Sequence, residues 1–143
     1  MTAMLPDRST VAAPDAATSA AARWGGRVLT GISILFLTFD AVAKIAGVKQ
    51  AVDGSVQLGY PANTVVPIGF VLLACVILYA IPRTGPLGAV LLTGYLGGAI
   101  ATNVRVGSPL FSHVLFPTYV AAILWSGLYL RDSRVRALVR SAR

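Results

Sequence analysis

Residues 28–48 read VLTGISILFLTFDAVAKIAGV, an apolar run of 21 residues interrupted by one acid, Asp40, and one base, Lys44. At about 1.5 Å per residue a helix of this length reaches across a hydrocarbon core of about 30 Å. Three more apolar runs follow it. Residues 65–81 open with Pro67 in a first turn, where a missing N–H does no harm, and stop at Pro82. Thr64 is placed to cap that run. Arg83, Thr84, Gly85 and Pro86 form a tight turn into residues 87–104, and a loop through Ser112 leads to residues 113–130. No run alternates with period two, and only a closed barrel or helices satisfy backbone groups in lipid. The expectation is therefore an all-α integral membrane four-helix bundle.

Composition agrees. Hydrophobic residues make up 56% of the 143, charged residues 12%, and there is no Glu. Residues 1–22 hold Pro6, Pro14 and a run of Ala, Ser and Thr, too little apolar surface to offset the entropy of ordering, and read as a disordered cytoplasmic arm. Residues 23–130 form the membrane domain, and residues 131–143 an Arg-rich cytoplasmic tail. The net charge of +7 would suggest nucleic acid in a soluble protein. Here five of ten arginines (Arg131, Arg134, Arg136, Arg140 and Arg143) follow directly on an apolar run without interleaved aromatics. That is the pattern of juxtamembrane anchoring to a lipid bilayer, not of a nucleic-acid surface. Arg8, Arg23, Arg27, Arg83 and the tail fall on one side of the four spans, Lys49 and Arg105 on the other. The positive-inside rule then puts both termini in the cytoplasm. Arg27 followed by an apolar stretch and Ala41-Val42-Ala43 has the outline of a cleavable signal. Cleavage there would discard Asp40 and separate it from Lys44, so a retained span is the simpler reading.

Between the first two spans Val48, Val52 and Val56 recur every four residues, with Lys49, Asp53 and Gln57 on a neighbouring face. This spacing fits a short interfacial helix on the outer surface; Gly54 is equally at home in a plain polar loop. Cys75 is the single cysteine, which excludes an internal disulfide and a dithiol centre.

Candidate functional residues gather in the outer half. Asp40 and Lys44 lie four apart on one face, about 12 Å and 6 Å inside the outer end of a span that finishes at Val48. A charge near a helix centre costs about 2.5–3.5 kcal/mol on insertion scales, so the two should face the bundle and pair. This leaves two alternatives open, a packing ion pair and a ligand or proton site. Gly94, Gly97 and Gly98 give the third span a small-residue seam for close helix packing. At about 100° per residue Arg105 sits over that seam and Asn103 about 180° from it. His113 stands at the outer start of the fourth span. One His, one Cys and no Glu do not supply the three or four ligands zinc requires, so no metal is expected. Asp40, Lys44, Asn103, Arg105 and His113 together mark a cluster suited to an outward-opening pocket, with no ionisable relay continuing inward.

The stretch from Arg27 to Arg136 resembles the DoxX-like membrane proteins of bacteria. The resemblance rests on Phe39, Asp40 and Lys44; Leu58-Gly59-Tyr60-Pro61; Pro82-Arg83-Thr84; Gly94-Tyr95-Leu96-Gly97-Gly98-Ala99; Val104-Arg105-Val106-Gly107; Pro109-Leu110-Phe111-Ser112-His113; and Leu130-Arg131-Asp132. It implies four helices in a bacterial inner membrane. By extension to DoxX and DoxD relatives it implies association with membrane oxidoreductases such as thiosulfate:quinone oxidoreductase, and quinone as the cofactor. Where the family pattern commonly has His, this chain has Asn103, which removes a titratable group. The expected function is an accessory or quinone-adjacent subunit without a redox centre of its own, working with redox membrane or periplasmic partners. The alternatives are a binding protein with an outward-facing small-molecule pocket and a purely structural membrane partner.

Overall fold

The computed structural model describes residues 19–142. Six α-helices follow in order: α1 (Ala20–Ile45), α2 (Lys49–Gln57), α3 (Val65–Ala80), α4 (Gly85–Arg105), α5 (Phe116–Arg131) and α6 (Ser133–Ser141). A 3₁₀ turn at Ala62–Thr64 leads into α3, and a π-helical turn at Leu110–Val114 leads into α5. With these turns included, four segments are long and apolar enough to cross a membrane. No strand occurs among the described residues.

α1 packs on α3 and α5, and α4 packs on the same two. The four long helices thus close a square, up and down in turn, with α1 and α4 on a diagonal. Its core is apolar, built on Leu37, Leu72, Val76, Leu92, Leu124 and Leu128. Tyr79 is fully buried there, and its hydroxyl donates to the Leu124 carbonyl at 2.8 Å, which removes the cost of burying an unpaired polar group. Leu35, Phe39, Phe70, Val71 and Phe111 point outward, as they should where the surroundings are lipid.

Glycines set the helix spacing, and three of them do so near the α6 end. A Cβ on Gly88 of α4 would collide with the Tyr79 backbone of α3. One on Gly127 of α5 would come within 2.8 Å of the Thr30 hydroxyl and 2.9 Å of the Thr30 nitrogen on α1; one on Gly26 would meet Leu130 Cβ at 2.7 Å. Close backbone approach at small residues is how helices gain dispersion energy in lipid. Gly94, Gly97 and Gly98 have no such role. A Cβ at any of the three would meet nothing within 4 Å. The expectation of a packing seam there is thus corrected: the spacing suits a seam, but Gly94 and Gly98 line a cavity instead of meeting a neighbouring helix.

The α6 end is closed by arginines. Arg131 donates to the Tyr79 carbonyl at 2.6 Å and lies 4.9 Å over the Tyr79 ring. Arg134 donates to the Pro82 carbonyl at 2.6 Å, and Arg136 to Leu130 at 2.7 Å. Helix C-termini leave carbonyls without partners and carry the negative end of the dipole, so guanidinium groups suit them. α6 itself departs from the featureless tail expected from the sequence. The Asp132 carboxylate caps it by accepting from the Arg134 nitrogen at 2.9 Å, and Val135, Leu138 and Val139 share one side, with Val135 buried. At the other terminus Ser19 caps α1 through the Ala22 nitrogen. Residues 20–22, assigned above to the arm, are therefore helical; residues 1–18 and Arg143 lie outside the described residues. Thr64 does not cap α3, since its hydroxyl donates to the Pro61 carbonyl at 2.7 Å.

Two expectations follow. Gly88→Leu and Gly127→Leu force apart backbones in contact and should each lower stability by about 2–3 kcal/mol or more. Gly98→Ala should be neutral or gain up to about 1 kcal/mol from helix propensity. Thermal unfolding in detergent separates these outcomes. For Asp132, burial pushes the carboxyl up, but the hydrogen bonds and charge of Arg134 outweigh it and hold it below its ordinary 3.8. A depressed carboxylate stabilises above its unfolded value and loses that contribution as pH falls through the folded one. A spin label at Ser141→Cys, with Cys75→Ala, should stay ordered from neutral pH down to about 4 and gain mobility below it. Asp132→Ala, which has no capping oxygen, should be mobile throughout.

Candidate functional site

The square that is pinched at its α6 end opens at the other. A cavity of about 930 Å³ lies there between α1, α4 and the start of α5, with α2 across it as a roof. This is at the upper end of the range for small-molecule sites. α2 forms the helix that the valine spacing predicted, with an exposed Lys49–Asp53 ion pair at 2.7 Å. Its small residues Ala51, Gly54 and Ser55 face the cavity, while Val48 and Val56 remain exposed.

The roof is fastened on its far side. The Gly59 backbone adopts φ +87°, a left-handed conformation that glycine takes without strain. That turn aims Tyr60 inward, where its hydroxyl and that of Thr102 are 3.0 Å apart. Thr102 in turn donates to the Gly98 carbonyl at 2.8 Å. Arg105 donates to the Leu58 carbonyl at 2.9 Å, so close to Gly59 that a Cβ there would meet the guanidinium.

Polar side chains occupy the upper part of the cavity. On α1, Lys44 donates to Asp40 as an ion pair one helical turn apart; their side chains are 15% and 36% exposed respectively. α1 ends at Ile45, short of Val48, so the pair lies nearer the helix end than expected: about 7.5 Å for Asp40 and 1.5 Å for Lys44. On α4, Asn103 is only 8% exposed and donates its amide to the Ala99 carbonyl at 2.9 Å, a bond that leaves its side-chain oxygen available. His113, on the π turn, has Nδ1 2.7 Å from the Ser112 hydroxyl. Gln50 and Gln57 reach in from α2. Deeper along the same helices the lining is Phe36, Leu37, Leu96, Phe116, Pro117 and Val120.

Of the five residues singled out from the sequence, Asp40, Lys44, Asn103 and His113 line this one cavity. Arg105 does not: it is exposed and holds the roof loop. The face that α4 turns inward is centred near Ala99 and Val106, seven residues apart, which brings Asn103 in and leaves Arg105 beyond its edge. Tyr60, Tyr95 and Thr102 were missed as lining residues. The i, i+7 spacing of Tyr95 and Thr102 in a span otherwise poor in hydrogen-bonding groups was the available signal. Among the described residues no three of His, Cys, Asp and Glu converge on a metal position.

The site is a vessel with few charges. Asp40 and Lys44 neutralise each other, and the remaining polar lining is amide, hydroxyl and imidazole over hydrocarbon. Hydrogen-bond donors and acceptors are both on offer at the upper level, and only apolar contact below.

No curated protein and no solved structure matches the chain. Residues 28–127 match the DoxX-like family, a stretch that takes in α3, α4, the π turn, most of α1 and α5, and every residue lining the cavity. The chain belongs to the DoxX-like family of membrane proteins.

Proposed function

We propose that the chain is a membrane binding protein whose cavity holds a small, neutral amphipathic molecule. One observation carries this reading: a single cavity combines a polar upper level containing a self-compensated ion pair with an apolar floor. A strongly charged ligand would find no net counter-charge here, and a purely apolar one would leave the Asn103 side-chain oxygen and Gln57 without partners. Ligand sites of this kind use apolar walls for affinity and a few polar groups for orientation.

A second reading keeps the quinone-adjacent subunit of a membrane oxidoreductase system. What favours it is the donor set. Quinone ring carbonyls are acceptors, and Lys44 and Ser112 present donors above Phe36 and Leu96, where a tail would lie. When bound, a quinone would supply two-electron redox chemistry; the residues here would orient its head and keep water from its tail. In both readings the bundle sits in the bacterial inner membrane with α6 and both termini cytoplasmic, so that the cavity lies towards the outer face.

Native mass spectrometry after extraction in mild detergent tests both readings. A retained small molecule, lost in Asp40→Asn with Lys44→Met, supports the first. A co-purifying redox subunit supports the second, and a bare chain overturns both. Asp40→Asn alone leaves Lys44 without its partner and should cost about 1–3 kcal/mol, less than for a fully buried pair because Asp40 is over a third exposed; the double variant should recover most of it. Ser141→Cys with Cys75→Ala tests orientation, since labelling of intact spheroplasts by an impermeant maleimide would reverse the assigned topology.

A further inference from the structure

The pinch, the roof and the wall between α1 and α5 differ in one respect. α5 follows α1 from Gly127, opposite Thr30, up to Phe116, opposite Phe36. There the chain leaves the α-helix. The π turn at Leu110–Val114 packs on α4 and α5, and α1 is not among its main neighbours. Above Phe36, α1 therefore continues for two turns with Asp40 and Lys44 facing the cavity and no helix closing the side towards Ser112 and His113. Phe36 and Phe116 form the sill of this gap, their ring centroids 5.6 Å apart at 66°. Both line the cavity, yet they are 43% and 45% exposed. Each ring has one side in the cavity and the other on the lipid-facing surface.

We infer that this gap is a lateral portal, through which the ligand enters from the bilayer as a single-chain neutral amphiphile. The inference rests on the binding reading proposed above. Three observations support entry from the side. α2 covers the top and is fastened by the Tyr60–Thr102 and Arg105–Leu58 bonds, so passage there breaks two hydrogen bonds. The Phe36–Phe116 pair makes no hydrogen bond, and edge-to-face rings separate at a cost of about 0.5–1.5 kcal/mol beyond their burial. The Asp40 carboxylate, over a third exposed at the level of the gap, offers a polar head a stopping point once the tail has passed the rings. The head then rests between Asp40 and His113, and the tail on Leu96 and Val120.

A neutral photoprobe gives the test. The full chain is placed in phosphatidylcholine nanodiscs containing a diazirine-bearing monoacylglycerol, irradiated, and mapped by peptide mass spectrometry. Labelling of the buried floor at Leu96 and Val120 is expected in the parent. In Phe36→Cys with Phe116→Cys, on a Cys75→Ala background, the pair joined through a short bis-methanethiosulfonate bridge should reduce floor labelling at least tenfold, and reduction should restore it. Phe36→Ala with Phe116→Ala needs no cross-link and should speed floor labelling several-fold. Equal floor labelling with the pair bridged and reduced, or an alanine variant no faster than the parent, overturns the portal and leaves the binding reading standing. Label confined to lipid-facing positions such as Leu35 and Phe39 in every form overturns the portal and the amphiphile reading together.

Discussion

Four helices in lipid have no hydrophobic effect to drive them together, and in this chain the substitute is backbone contact at Gly26, Gly88 and Gly127. All three contacts lie towards the α6 end. At the other end α4 presents Gly94 and Gly98, where an added Cβ would meet nothing within 4 Å, and both line the cavity. Gly69 keeps α3 against α1 at the far end, where an added Cβ would lie 2.9 Å from Lys44 Cβ. The space therefore opens on the side of α1 that faces α4 and α5. Position of the site, its depth and its polarity all follow from where glycine allows contact.

A gap of this size must be kept from collapsing or flooding, and α2 does this with modest means. Three left-handed glycines, Gly47, Gly59 and Gly107, turn the chain at the ends of α1, α2 and α4. Two hydrogen bonds to α4 then hold the roof. Arg105, which looks from its sequence position like part of the site, serves the roof, and its charge stays outside a cavity whose Asp40 and Lys44 are a matched pair.

The four spans were legible because the bilayer imposes a length, a composition and a complete set of internal hydrogen bonds, and residues 28–48 meet all three. Asp40 and Lys44 were legible for the same reason, since charge in a span needs a partner. Gly94, Gly97 and Gly98 misled because helical spacing shows which residues share a face and not which face meets a neighbour. That is decided by Gly88 against Tyr79, a contact 9 residues apart in sequence with nothing in its surroundings to mark it. Asn103 and Arg105 were misplaced together by the same rotation of α4. α6 was hidden because nine residues with four apolar side chains among three arginines read as a charged tail until Asp132 is seen as a cap.

The arginine bonds at the α6 end also set an order in time. The carbonyls of Tyr79 and Pro82 are each met by a guanidinium 52 residues further along the chain. At about 5–20 residues per second, a ribosome delivers that partner roughly 3–10 seconds after the carbonyls have been made. Until then the α3–α4 turn has no guanidinium to seal it, and water or another donor must serve the open carbonyls. Sealing of that end thus waits on α5 and the basic residues that flank it.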